Sequence, residues 1–299
     1  MAFDFYFAGT QCEEANVLLR QLNANVLKSY VNDKKEILKW FEYKKQGWKG
    51  KLMIDNGEFT FHRKGGSLNL DEYIQWLNDN DEYIDYAIAL DSIPGKWGQP
   101  RTTEDVRISA EKTWQNFLYM RSKMKSPDKA LPVFHMGESF DNLERFLQYT
   151  DLKYMCISGM KDLTNKQREE WYEQCFHIIS KYKRTDISFH CLGSATMQNA
   201  TKFPFTSMDA TSWIMTGSNG SIISDWGVIY VGDNCRTLQH EVPAKYIDIL
   251  KSQCEEYGTS LEDIGSNYKA RMCFNVNYLY HKSQQVSYNG VGFGKKRLF

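Results

Sequence analysis

Short apolar runs alternate with longer amphipathic ones along most of this chain, and that alternation limits the folds open to it. The runs FYFAG (5–9), VLKSY (26–30), LMIDNG (52–57), YAIALD (86–91), PVFHM (132–136), YMCISG (154–159), SFHCLG (188–193) and FTSMDA (205–210) read as strands. They are rich in β-branched and aromatic residues, and most stop at Gly or a polar turn. Between them lie helical stretches. Residues 33–45 carry Ile37, Leu38 and Phe41 at helical spacing, and residues 70–79 carry Leu70, Tyr73, Ile74 and Leu77. Residues 102–124 open on TTED, a Thr cap followed by acids, and residues 139–150 open on Ser139. Residues 165–182 place Trp171, Cys175, Ile178 and Ile179 on one face. Such alternation predicts a parallel sheet with helices outside it. Eight strands is the number that closes a (β/α)8 barrel of the TIM type. An open doubly wound sheet shares the pattern and stands as the alternative.

After residue 213 the pattern changes. SIISDWGVIYVGD (221–233) reads as a β-hairpin or an extended excursion, PAKYIDILKSQCEEYG (243–258) as a helix, and residues 260–282 as another. This divides the chain into a barrel catalytic domain, 1–258, and a C-terminal helical extension with a glycine-rich basic tail, 259–299. At 299 residues, with 42% hydrophobic and 25% charged content, the chain can bury a large core, which excludes a disordered protein. No apolar run approaches the roughly 18 residues of a membrane span, and MAFDFYFAGT lacks the pattern of a secretory signal. A cytoplasmic location is the expectation. The seven cysteines are scattered and odd in number, so reduced thiols are expected, with Cys156 and Cys191 as buried packing residues. Net charge is zero, which weighs against a wholly basic nucleic-acid footprint. It leaves room for a local basic face (Lys34–Lys35, Lys44–Lys45, Lys49–Lys51, Lys295–Arg297), a protein partner or a homo-oligomer.

Barrel active sites lie at the C-terminal ends of the strands. There the chain has Asp55, Asp91, His135, Ser158 with Gly159, His190 with Gly193, and Asp209. Aspartate is a poor strand residue. One Asp at a strand end can be a helix cap or a loop hydrogen bond, but three at one mouth favour chemistry. Two carboxylates facing a small pocket suit displacement at a sugar carbon: one attacks and the other moves a proton, with environments that part their pKa values. A third carboxylate with a His can read the donor edge of a guanine-type base, and a neighbouring aromatic can stack on it. In HRKGG (62–66), Arg63 and Lys64 either meet a phosphate or sit in a solvated turn. Trp213 either stacks on a flanking base or packs in the core. His177, on an amphipathic helix, reads as structural, and GTQ (9–11) is too short for a phosphate loop.

Four segments, in order, resemble the tRNA-guanine transglycosylase superfamily, closest to its phage and bacterial branch that inserts 7-deazaguanines into DNA. They are IDNGEF (54–59), similar to the family's D-S-G-x-F; ALDSIPG (89–95); PVFHMGE (132–138); and LGSATMQNATKFPFTSMDATSW (192–213), similar to P-F-x-S-x-D-x-x-S-W. The likeness runs from FYFAG to about Trp213. It implies that Asp209 is the nucleophile holding the sugar carbon, that Asp55 handles protons at the base, that Phe59 stacks on the base and that Asp91 reads its edge. His135 lies where the family usually has a base-reading glutamine, and Ser158 and Gly159 match a strand end that offers backbone groups. Asn56 and Glu58 depart from the motif, and Glu58 adds a charge near the pocket. The tRNA enzymes also carry a C-x-C-x-x-C plus His zinc site. Here Cys235, Cys254, Cys273, His240 and His281 lack that spacing, so no zinc and no other cofactor is expected. The resemblance therefore implies exchange of guanine in DNA for a 7-deazaguanine such as 7-cyano-7-deazaguanine, in a host cytoplasm if phage-encoded. The same exchange on tRNA, an inactive nucleic-acid-binding barrel, and a glycosidase or nucleoside hydrolase are the alternatives.

Overall fold

The computed structural model describes residues 3–9, 12–96, 98–160, 163–184, 186–193, 196–232 and 244–288. Strand and helix alternate from the first element. The order is β1 (Asp4–Ala8), α1 (Glu13–Gln21), β2 (Asn25–Ser29), α2 (Lys34–Lys45), β3 (Leu52–Asp55), α3 (Glu58–Lys64), α4 (Leu70–Asp79), β4 (Tyr86–Ile88), α5 (Thr103–Lys123), β5 (Ala130–Leu131), β6 (Val133–His135), α6 (Phe140–Gln148), β7 (Tyr154–Ser158), α7 (Asn165–Tyr182), β8 (Ser188–Leu192), α8 (Met197–Lys202) and β9 (Ser207–Ala210). Caps read from the sequence are in place. Thr102 and Asp105 form a capping box at α5, and the Ser139 hydroxyl accepts the Asp141 amide at α6.

The strands pair in parallel in the order β5-β4-β3-β2-β1-β9-β8-β7-β6. β5 and β6 are halves of one stretch, residues 130–135, parted by Pro132. Ala130 and Leu131 pair with Ala87 and Ile88, whereas Val133, Phe134 and His135 pair with Cys156, Ile157 and Ser158. Proline has no N–H for a ladder and fits where one partner ends and the other begins; its carbonyl still accepts the Cys156 amide at 2.8 Å. This stretch joins the two edges, so the sheet closes into a TIM-type (β/α)8 barrel rather than an open doubly wound sheet.

Alternation along the strands makes two cores. Tyr6, Ala8, Leu27, Met53, Ile88, Leu131, Val133, Tyr154 and Cys156 fill the barrel, and the larger cluster, including Phe5, Phe7, Val26, Ile54 and Phe189, packs outward against the helices. Lys28 breaks the outward pattern. It is fully buried beneath Trp40, its ammonium 5.6 Å from the indole, and donates to the Gly9 carbonyl. Cys156 and Cys191 are buried free thiols as expected, while Cys235 lies outside the described residues.

Beyond β9 come α9 (Ser212–Ser218), the antiparallel hairpin of β10 (Ser221–Ser224) and β11 (Gly227–Tyr230), α10 (Ala244–Glu256), α11 (Leu261–Ser266) and α12 (Tyr268–Gln284). The one helix expected over 260–282 is thus two. Asn267 is extended and its side chain accepts the Lys269 amide at 2.9 Å, capping α12 where α11 stops. α12 packs on α1, α9 and β10. Its buried Arg271 donates to the carbonyls of Gly217, Ile264 and Gly265, and its buried Asn275 donates to Trp213 and accepts from Ile223. No helix among the described residues is long and apolar enough to cross a membrane. Residues 289–299 of the basic tail lie outside the described residues.

Candidate active site

Asp55 ends β3, His135 ends β6, Ser158 ends β7, Gly193 follows β8 and Asp209 lies one residue from the end of β9. Asp91 sits three residues beyond β4, a strand that stops at Ile88. His135 and Ser158 are register partners, and Gly159 extends that strand end. Six positions from six strand ends therefore share the C-terminal mouth. Cys156, buried in the barrel interior, has its thiol pushed well up by burial and then by the charges of Asp209, Asp91 and Asp55. The three carboxylates stand at the ends of β3 and β9 and just beyond β4.

Asp91 is fixed by neighbours on both sides. Asn56, 1% exposed, donates from Nδ2 to Asp91 Oδ1 and to the Ala89 carbonyl, both at 3.0 Å, while its Oδ1 accepts the Glu58 amide at 2.8 Å. His135 Nε2 lies 2.8 Å from Asp91 Oδ2, and its Nδ1 lies 2.9 Å from Glu138 Oε1. Burial pulls the His135 pKa down, but hydrogen bonds and charges from Asp91 and Glu138 outweigh it and lift the value to about 10. Burial likewise pushes Asp91 up, and the His135 contacts and Asn56 bring it below its ordinary value. Both His135 nitrogens are thus occupied by carboxylates. The Asp91 amide also donates to its own carboxylate.

Asp209 is 6% exposed. Its Oδ1 accepts the Gly193 amide at 2.7 Å and faces His190 Nε2 at 3.3 Å. Gly193 has φ +69°, a left-handed backbone that glycine adopts freely and that turns its N–H onto the carboxylate. Asp55 has the opposite surroundings. Burial, then the charges of Asp91 and Asp209, raise its pKa to about 7, with the Gly57 amide pulling the other way. Gly57 has φ +82°, and a Cβ there would come within 2.7 Å of Val31, so the turn that carries Asp55 into α3 needs glycine. One carboxyl is poised to exchange a proton near neutrality while the other sits between donors.

The remaining sequence-predicted residues divide. Phe59 is 56% exposed in the first turn of α3, four residues after Asp55. Arg63 and Lys64 are exposed, but in the last turn of α3; the loop expected at HRKGG begins only at Gly65. Trp213 is fully buried, its indole N–H donating to the Ala8 carbonyl at 3.1 Å and its ring edge-on to Phe7. It supports the site from behind, and the reading of Trp213 as a nucleic-acid contact is corrected. Glu58 is 8% exposed and accepts the Leu68 amide at 3.2 Å, so it ties down the loop after α3 instead of adding an open charge to the pocket. Lys44 pairs with Asp85 and Lys51 with Asp4, at the strand starts, which puts that part of the expected basic face at the opposite end of the barrel from the mouth.

Cys254 and Cys273 have thiols raised to about 11 and about 12, first by burial and then by Asp263 and by Cys12 respectively. His281 stacks on Tyr257 at 5.7 Å, and His240 lies outside the described residues. Sequence reading missed Asn56, Glu138, Ser207 and Tyr154 as parts of the site. The three-residue spacing of His135 and Glu138 across a turn, and the inward pair Ser207 and Asp209 on one strand, were the available signals.

No protein-family model matches the chain, and no curated protein matches it. Among solved structures it is similar to the carboxyl transferase domain of Rhizobium etli pyruvate carboxylase with 3-hydroxypyruvate, at TM-score 0.42 and 8% identity, covering 95% of this chain and 48% of that one. The chain thus spans about half the length of that structure. It is also similar to a single-residue variant of actinorhodin polyketide ketoreductase with NADPH, at TM-score 0.25 and 12% identity, covering 99% and 100% of the two chains. Both likenesses are too distant to bear on the chemistry.

Proposed function

We propose that this barrel is a pentosyltransferase that exchanges guanine in DNA for a 7-deazaguanine, as its resemblance to the tRNA-guanine transglycosylase superfamily implies. What carries the reading is the pairing, in one mouth, of Asp209 clasped at Oδ1 by Gly193 with Asp55 raised by burial to about 7. In the first step an Asp209 oxygen bonds to the anomeric carbon. The glycosidic C–N bond breaks, and its electron pair goes to the departing N9, which takes the proton of Asp55. In the second step the incoming base gives its N9 proton back to the Asp55 carboxylate. That N9 then bonds to the sugar carbon, and the ester electrons return to Asp209. The two carboxylates alone balance both steps. Asp91, held by His135 and Asn56, offers acceptors to the N–H pair of a guanine-type edge, and Phe59 offers a stacking face. The target nucleotide has to leave the helix stack to reach a barrel mouth.

The test is incorporation of labelled 7-cyano-7-deazaguanine into duplex DNA by the wild type and by Asp209→Ala. The expected result is label in DNA with the wild type and none with the variant. Label entering tRNA instead moves the activity to RNA, and release of guanine without label entry makes the protein a hydrolase. Equal incorporation by the variant removes Asp209 from the mechanism and sinks the reading.

A further inference from the structure

Behind Asp209 runs a line of buried polar groups with no place in the two steps above. His190 Nδ1 lies 2.7 Å from Ser207 Oγ, and Ser207 Oγ is in turn in short contact with the Tyr154 hydroxyl. His190 and Ser207 are fully buried and Tyr154 is 8% exposed. Side chains from β7, β8 and β9 thus form one row inside the barrel, ending on the Asp209 carboxylate. The imidazole is also gripped edge-on by Tyr6, with ring centres 5.6 Å apart, and by Tyr154 at 6.4 Å.

Counting protons along this row gives it a direction. A carboxylate only accepts, so His190 Nε2 must carry the hydrogen that faces Asp209 Oδ1. With that proton on Nε2, Nδ1 of the neutral ring is an acceptor, and Ser207 must donate to it. Ser207 has one proton and has spent it, so Tyr154 donates to Ser207. The reverse order would point a histidine proton at Ser207 and leave the Tyr154 hydroxyl proton without an acceptor among the described residues; it would also set a bare Nε2 against the carboxylate or, with both nitrogens protonated, bury a charged ring. One tautomer alone satisfies every group, and the last hydroxyl selects it.

We infer that the Tyr154–Ser207–His190 row is a positioning device that locks His190 as the Nε2–H tautomer and so presents Asp209 with Oδ1 clamped and Oδ2 turned to the sugar. The inference rests on Asp209 being the attacking carboxylate. Gly193 and His190 both engage Oδ1, and among the described residues no donor reaches Oδ2. Attack therefore comes from Oδ2, and in the glycosyl ester Oδ1 becomes the carbonyl oxygen with its two donors already in place. The row touches neither base nor sugar. Its effect is confined to the orientation of one carboxylate, where a misplacement of an ångström costs up to about a hundredfold in rate.

Histidine-selective NMR of the wild type, with the His190 signal assigned by its loss in His190→Gln, reads the tautomer without any substrate. The expected spectrum has the proton on Nε2 and a bare, hydrogen-bonded Nδ1, and Ser207→Ala should shift that nitrogen. In single-turnover assays on DNA, Ser207→Ala and Tyr154→Phe should slow formation of the covalent adduct by roughly tenfold to a hundredfold. The apparent affinity for the incoming base should stay at the wild-type value. A proton on Nδ1 in the wild type overturns the inference, as does adduct formation at the wild-type rate in Ser207→Ala. If the wild type forms no adduct with any nucleic acid, the proposed function falls, while the imidazole spectrum still decides the direction of the row.

Discussion

His135 joins Asp91 to Glu138: its two ring nitrogens lie 2.8 Å and 2.9 Å from carboxylate oxygens on either side. The folded-state pKa of about 10 stands above the ordinary 6.5, so the imidazolium favours the folded chain. That contribution is complete below 6.5, declines as pH rises and is gone once pH passes about 10. Thermal melts of the wild type should show this decline, and His135→Gln should lack it. Because Asp91 loses its partner, the same variant should also raise the KM for the incoming base.

Asp55 gives a pH dependence of its own. Its pKa is raised from 3.8 to about 7, so the folded state keeps a proton that the unfolded chain loses, and stability falls as pH rises across that window. Asp55→Asn should be more stable than the wild type at pH 8, by on the order of 1 kcal/mol or roughly 2–4 °C, and no more stable at pH 3. It should lose exchange activity by about 10²–10⁴-fold. The wild-type rate should peak near pH 7, where both forms of the carboxyl are present.

Phe59 is exposed and contributes little to the core. Phe59→Ala should leave the melting curve within about 0.5 kcal/mol of wild type. It should weaken base binding by roughly 1–3 kcal/mol, read as a higher KM for the free base. Phe59→Tyr should restore it.

Trp213 separates packing from recognition. Trp213→Ala empties a fully buried site and should cost about 3–5 kcal/mol in chemical denaturation. Trp213→Phe should keep more stability, and its folded fraction should bind DNA with the wild-type salt dependence. A change in that dependence would return the indole to the nucleic-acid interface.

Arg63 and Lys64 stand free of the core on the last turn of α3. If both meet phosphates, their joint replacement by Ala should lower the log–log salt slope of DNA binding by about 2, with stability unchanged. An unaltered slope leaves α3 outside the interface.

The barrel was legible because its eight apolar runs carry the period of strands, and each appears in the structure within a few residues. The helices that escaped notice were α1, α3, α8 and α9. α3 has seven residues between Gly57 and Gly65, both left-handed, so its ends read as turns and its interior is too short to show a helical period. Asp55, Asp91, His135 and Asp209 could be picked out because polar residues at the ends of apolar strands are conspicuous. Their partners could not. Glu138 and Asn56 look like ordinary loop residues until the chain folds, and Tyr154 looks like packing. Lys28 sits on the outward face of an apolar strand, where pattern alone predicts a hydrophobic residue; its ammonium is met there by the Gly9 carbonyl and the Trp40 ring.

The break at Pro132 divides the mouth by strand pairing. β3, β2, β1 and β9 are continuous neighbours, so Asp55 and Asp209 belong to one unbroken run of paired strands. Asp91 follows β4 and His135 ends β6, one on each flank of the seam, which two rungs on one side and three on the other hold together. Their ion pair is the stitch across that seam. Damage at Pro132 would therefore part Asp91 from its imidazole while leaving Asp55 and Asp209 on strands that stay paired through β2 and β1.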